Sequence, residues 1–564
     1  MKIHKIAESS VQRIICAVLL TVMFFVGAFT VPQYGYYYDE GGERQIVSSN
    51  FKEYALRLLS DGSRMKEKFL QIDSNFTDID GGPIKPISQS IERDHGVAIM
   101  YPTLPFLLAG ISPTAQSELW YGYVFLIFFT SVLALYFIGR RLFGSYLTGI
   151  LSAAVYFFSP VIFAQSHYNN KDILLLALTL DLMALILRMI DKIRSADSPG
   201  KPSFLLAAVT AGFIMNTKVI GIAVVGLFGL LFIASLAVMK IPAKKIVTES
   251  VLLLFLSLLF YFLFTPAMWG GVKEIVAFHR YLIENANDFS RWDQLILFNG
   301  VLYKHSVEPL PRSYLITMIA LTTPFYVLVF SVFGAIRLIC RMIKEGGAFF
   351  RDITNLFIAS AFCLFLIPTG YATITGAHIY NGWRHFSFVY AGIVLLCVYG
   401  ICSLGKAVRK RTSAKSSIIV YSALVFSFVC ASAVGIAVNH PFQYAYFNVL
   451  APNADEKYEL DYWNVSLKSA VDHVIENSAG FETPPTVGGS DINTLNGLIS
   501  TVMLADCGDK ITLVRDDPSP DYVIENITYS SIYGQEYFDA SQYTPIKTFY
   551  SYGNKVCTVY RLNS

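Results

Sequence analysis

The chain has 564 residues, 54% of them hydrophobic, and its 44 Lys and Arg against 41 Asp and Glu leave a net charge of +3. Soluble globular proteins are about 45–50% apolar even with glycine counted, so this composition excludes a soluble domain and indicates a polytopic membrane protein. The near balance of charge excludes little by itself, and its distribution along the chain carries the information.

Apolar runs that meet or approach the requirement of about 17–25 residues for a spanning helix lie at 14–31, 119–139, 145–163, 172–190, 203–217, 219–239, 248–268, 313–336, 353–371, 385–404 and 416–438. These make eleven expected spans, with 203–217 the weakest. The first has the basic start of a signal peptide, but its apolar run is longer than the usual h-region and no small-x-small site follows, so it reads as an uncleaved span. The segment Ala98–Ile111 is short, interrupted by Pro102 and Pro105, and reads as an interfacial helix. With a cytoplasmic N-terminus, this arrangement places 18 basic residues in the inner loops, among them Arg140, Arg141, Lys244, Lys245 and Lys406 to Lys415. The short outer connections hold Lys171, Lys218 and Arg384. Counting 98–111 as a span would invert every later loop and violate the positive-inside rule.

The external parts are then the loop 32–118, short connections near 164–171 and 218, loops at 269–312 and 372–384, and everything after about 439. The first loop opens with Tyr36-Tyr37-Tyr38-Asp39-Glu40-Gly41-Gly42-Glu43-Arg44. Its adjacent carboxylates at the membrane exit make Asp39 the candidate catalytic base; the competing reading is an acid pair that complements a helix dipole. Residues 43–60 have the apolar spacing of a helix lying on the membrane, and 61–95 reads as a polar surface loop.

The connection after the third span, Ala164-Gln165-Ser166-His167-Tyr168-Asn169-Asn170-Lys171-Asp172, is more polar than a turn needs; Asp172 either caps the next helix or lines a site. Lys218 follows a short run, where it either snorkels outward or meets an anionic ligand. Arg384 and His385 close Tyr380-Asn381-Gly382-Trp383-Arg384-His385, a pattern that also suits an interface belt. All four clusters fall at one membrane face, where an anionic headgroup is able to meet several cations. Basic and aromatic residues of 269–312, including His279, Arg280, Arg291 and Trp292, suit either sugar contacts or the interface.

The tail from Asn439 carries no span; a helix at 466–478 and short strands at 486–490, 511–515, 521–525 and 555–561 predict a small α/β domain. The expected division is 1–438 and 439–564. Cys507 and Cys557 share this external part, where an oxidising compartment would permit pairing. Asn75, Asn464 and Asn526 head glycosylation triplets that fall outside. No zinc-ligand spacing, P-loop or dinucleotide fingerprint is present, and no nucleic-acid partner is expected.

With these residues laid out, the chain resembles the dolichyl-phosphate-mannose protein mannosyltransferase and aminoarabinose lipid A transferase group of the GT-C membrane glycosyltransferases. The resemblance rests on the order of Asp39-Glu40, Tyr101-Pro102, Gly139 to Gly144, Ser159-Pro160, His167 to Asp172, Thr217-Lys218, Leu321 to Pro324 and Tyr380 to His385. The start of the tail, His440 to Tyr444 and Leu460 to Trp463, is similar to bacterial members, and the tail does not resemble the β-trefoil of the eukaryotic enzymes.

The resemblance implies a multi-pass protein of the bacterial plasma membrane, with its C-terminal domain outside. It implies inverting transfer of a sugar from a polyprenyl-phosphate donor to a hydroxyl acceptor on that face. Asp39 matches the family's catalytic aspartate. Lys171, Lys218 and Arg384 would bind the donor phosphate, His167, Asp172 and His385 would support them, and Glu40 would position the acceptor or the loop. No cofactor is required, although a carboxylate pair is able to hold a divalent metal. The alternatives are an oligosaccharide transferase or ligase, a lipid or solute transporter, and a membrane-anchored scaffold.

Overall fold

The computed structural model describes residues 2–71, 84–108, 111–194, 201–287, 293–412, 415–478, 480–504, 509–515, 517–533 and 538–563. Arg291, Trp292, Cys507 and Asn75 lie outside the described residues. Among those described, nine helices are long and apolar enough to cross a membrane: Ser10–Gln33, Pro113–Phe143, Asp172–Arg194, Ile220–Val238, Ala243–Phe264, Phe325–Arg351, Ile353–Thr375, Arg384–Arg411 and Lys415–Val438. A tenth is the pair Tyr146–Phe157 and Pro160–Tyr168, bent by 71°, and Pro202–Thr217 is a shorter apolar helix. Each of the eleven apolar runs therefore falls on helix.

Two of them are not straight. The run 145–163 breaks where Pro160, which cannot donate a backbone bond, opens a new helix. Pro324 separates Tyr314–Thr322 from Phe325–Glu345 within 313–336. Local chemistry sets other ends: Ser112 accepts from the Ala115 N–H, Pro113 takes the first turn, and Gly144 closes the helix at φ +84°. Ala98–Thr103 is a 3-10 helix followed by the short Leu104–Leu108 helix, so this segment does not span.

The most buried spans are Asp172–Arg194 and Arg384–Arg411, and both begin at the same polar cluster. Close packing places the latter span against Phe325–Glu345, because a Cβ on Gly334 would lie 2.1 Å from the Leu396 carbonyl and one on Gly400 2.2 Å from that of Phe330. The stretch expected to be helical at 43–60 forms the helix Glu40–Leu58. It is largely buried: Ile46 and Val47 join the core, Lys52 donates to the Ile84 carbonyl, and Glu53 accepts from Ser88. The loop behind it is therefore a roof over the helix.

The tail forms a five-stranded sheet in the order Thr512–Leu513, Thr486–Gly489, Tyr522–Asn526, Asn554–Leu562, Tyr543–Ser551. The first two pairings are parallel and the last two antiparallel. Ser466–Glu476 packs on this sheet as expected, whereas the helix Ile492–Leu504 and strand Tyr543–Ser551 add to the sequence reading. Core membership changes near residue 466: Phe442, Tyr444, Leu460, Trp463 and Val465 pack with the membrane helices, and the separate α/β core starts at Leu467. Asn464 and Asn526 are buried and bonded to each other at 2.6 Å, so neither is open to glycosylation in the folded protein.

Candidate active site

The site begins at the N-terminus of the Glu40–Leu58 helix. Asp39 occupies the cap position and its carbonyl accepts the Glu43 N–H at 3.0 Å, while its side chain makes no capping bond. Residues four apart share a helix face. Asp39 and Glu43 turn toward the polar cluster, and Glu40 and Arg44 turn inward. Glu40 is fully buried, paired with Arg44 and held by Ser117 at 2.8 Å and by the Tyr121 hydroxyl. That placement ties the start of the helix to Ser117 and Tyr121 of the Pro113–Phe143 span.

His167 to Asp172 supplies the second wall. His167 sits apart from the cluster, against Gly27, Thr30 and the Phe163 carbonyl and stacked on Tyr34. Asn169, rather than Asp172, caps the next helix: its Oδ1 accepts the Asp172 N–H at 2.9 Å. The Asp172 carboxylate is thereby left to pair with Lys218, whose ammonium also lies 3.0 Å from His385 Nδ1. Lys171 pairs with Glu43, which accepts in addition from Asn170 at 3.2 Å. Burial opposes the charge on Lys171, but Glu43 prevails and raises its pKa above the usual lysine value.

Arg384 joins the walls. It donates to Asp39 at 3.2 Å, its side chain is 8% exposed against 34% for Asp39, and its Nε is buried without a partner. Aromatic rings surround its guanidinium, with Trp463 at 4.6 Å, Tyr462 at 4.8 Å and Tyr380 at 5.1 Å. Trp463 also accepts the Tyr38 N–H at 3.0 Å through its carbonyl, so the tail holds the backbone immediately before Asp39. Asp461 anchors this tail segment by accepting from the Val465 and Ser466 N–H groups and from Asn526.

Asp39, Lys171, Asp172, Lys218, Arg384 and His385 thus converge, while Glu40 and His167 serve neighbouring structure. Sequence reasoning did not select Glu43, Asn170, Tyr462 or Trp463 for the site. Glu43 had a readable signal, its four-residue spacing from Asp39. The tail pair had none, because a contact across 345 residues between Arg384 and Asp39, and another to Trp463, belongs to tertiary structure. Among the described residues, Glu92, Asp94 and His95 form a group whose ligand atoms lie within 4.8 Å, suited to a cation, with Glu92 electrostatically coupled to Lys171 and His95 to His385.

The chain is similar to ArnT from Cupriavidus metallidurans, whose crystal structure is of the protein bound to undecaprenyl phosphate; the TM-score is 0.41, the identity 13%, and the match covers 97% of each chain. No protein-family model and no curated protein matches.

Proposed function

We propose that this protein is an integral membrane glycosyltransferase that moves a sugar from a polyprenyl-phosphate donor to a hydroxyl acceptor at the external face. The reading is carried by one observation: the partly exposed Asp39 carboxylate, 3.2 Å from Arg384, stands in a cluster that also holds Lys171 and Lys218. An acceptor hydroxyl is a weak nucleophile. Asp39 takes its proton as the oxygen attacks the anomeric carbon, and the bond from that carbon to the phosphate oxygen breaks on the opposite side, inverting the centre.

The phosphate leaves with the bonding electrons and needs cations rather than a proton. Lys171 and Lys218 stabilise it, and Glu43 and Asp172 keep these lysines from being buried unpaired beforehand. The Asp172–Arg194 helix adds the positive end of its dipole. Arg384 orients Asp39.

The test is turnover by the full chain in nanodiscs on radiolabelled polyprenyl-phosphate sugars, wild type against Asp39→Asn. The expected result is hydrolysis or transfer from at least one donor, lost in the variant while donor binding persists. Donor binding without turnover by wild type, together with vectorial movement of the lipid, would instead favour a transporter.

A further inference from the structure

A cleft opens on one side of Arg384. Val161, Gln165 and Trp383 line it from the membrane helices, and Glu459, Tyr462 and Trp463 from the tail. Its charge differs from that of the Asp39 cluster. Among the described residues lining the cleft, Arg384 is the one cation and Glu459 the one carboxyl, whereas Lys171, Lys218 and Asp39 do not line it. Arg384 is already balanced by Asp39. Burial raises Glu459 to about 8, against the pull of the Leu297 backbone and Arg384, so the carboxyl is neutral at neutral pH.

An anion would meet a single cation here, shared with Asp39, against the two lysines of the neighbouring cluster, and a purely apolar chain would strand the amides and the carboxyl. Aromatic side chains beside Gln165, Asn381 and a neutral carboxyl suit a ligand with apolar C–H faces and several hydroxyls.

We infer that this cleft is the acceptor subsite and that the acceptor is a neutral saccharide ring. Because Arg384 and Tyr462 belong to both the cleft and the Asp39 cluster, a hydroxyl of a ring seated here arrives beside the Arg384–Asp39 pair. The tail is then a wall of the substrate site. The word acceptor rests on the glycosyltransferase reading above; saccharide binding in the cleft does not.

The test is binding of neutral tri- and tetrasaccharides to the full chain in nanodiscs, read by saturation-transfer NMR, with no donor present. The comparison set is wild type, Asp39→Asn, Glu459→Ala and the filling variant Val161→Trp. The expected result is saturable binding to wild type and to Asp39→Asn, weakened at least tenfold in both cleft variants. Vesicles carrying a neutral glycolipid and the free saccharide as competitor separate a lipid-borne acceptor from a soluble one, and either outcome supports the inference.

Three outcomes would overturn it: no saccharide binds, binding is unchanged in Val161→Trp, or a serine- and threonine-bearing peptide binds the cleft in place of sugars. Val161→Trp is the control for folding, because its Asp39-dependent donor hydrolysis is expected to persist. Donor hydrolysis without saccharide binding removes this inference alone, and saccharide binding without donor turnover removes only the glycosyltransferase reading.

Discussion

Consecutive carboxylates at the start of the Glu40–Leu58 helix meet opposite surroundings. The Asp39 side chain is 34% exposed and meets Arg384 at the rim of a polar cluster, while Glu40 is enclosed by Arg44, Ser117 and Tyr121. The helix sends successive side chains about 100° apart, so adjacency in sequence becomes separation in role. The general-base role proposed for Asp39 requires hydrogen-bond reach of the substrate's proton, which a partly exposed carboxylate offers and an enclosed one does not. The contrast extends by one turn: Glu43 follows Asp39 into the site, and Arg44 follows Glu40 into the core.

The sharpest way to break this comparison is to exchange the two losses. Asp39→Asn is expected to lower turnover by roughly 10²–10⁴, the usual contribution of a general base, with the unfolding temperature lowered less than by an inward-face variant, because Asp39 is 34% exposed and solvent reaches its pair with Arg384. If Asp39→Asn unfolds as readily as an inward-face variant, the division between the faces is wrong. On the inward face, Arg44→Ala leaves Glu40 buried and unpaired, at a cost of about 3–5 kcal/mol, measured as a lowered unfolding midpoint in detergent. Adding Glu40→Gln to Arg44→Met, which removes both charges, is expected to restore most of that loss.

Much of this was legible before any coordinates, for identifiable reasons. The spans follow from apolar length, and the loops were placed by the alternation of basic residues, so the clusters at 39, 171–172, 218 and 384–385 could be assigned to one face. Partners within the face were less accessible. Lys218 pairs with Asp172 and Lys171 with Glu43, and nothing in the spacing distinguishes these from the crossed pairs. His167 shows that residue type alone does not give position. It has the residue type of a site ligand, yet its ring fills a hydrogen-bonding niche against the first span. Trp463 lay outside the site reading because a change in composition near 439 suggested a boundary, whereas the packing of the membrane core continues to Val465.

A smaller effect separates the roles within the lysine wall. Lys171→Gln is expected to weaken donor binding about 10–100-fold, the span of a lost hydrogen bond to a charged group, as a raised KM with kcat less affected. Glu43→Gln acts through Lys171 instead. Burial lowers the Lys171 pKa and Glu43 raises it with the net direction upward, so removing Glu43 leaves burial unopposed. Donor affinity in Glu43→Gln should then fall at a lower pH than in wild type as pH rises, whereas a merely structural role for Glu43 would shift affinity equally at every pH.

The cleft side of Arg384 supplies the most diagnostic effect. Glu459 has an ordinary value of 4.5 and is held at about 8 by burial. Below 4.5 both folded and unfolded chains are protonated at this position, so it contributes no slope. Between 4.5 and 8 the unfolded chain has released this proton while the folded chain keeps it, so its contribution to stability declines as pH rises and levels off above 8. Thermal unfolding of the full chain in nanodiscs at pH 5, 7 and 9, compared with Glu459→Gln, isolates this term, because other groups titrate alike in both proteins. The wild type should lose more stability than the variant between pH 5 and 9. Parallel curves would mean that Glu459 is hydrated and ionised at neutral pH, and the cleft would then carry a negative charge beside Arg384, unlike the neutral surface that a saccharide requires.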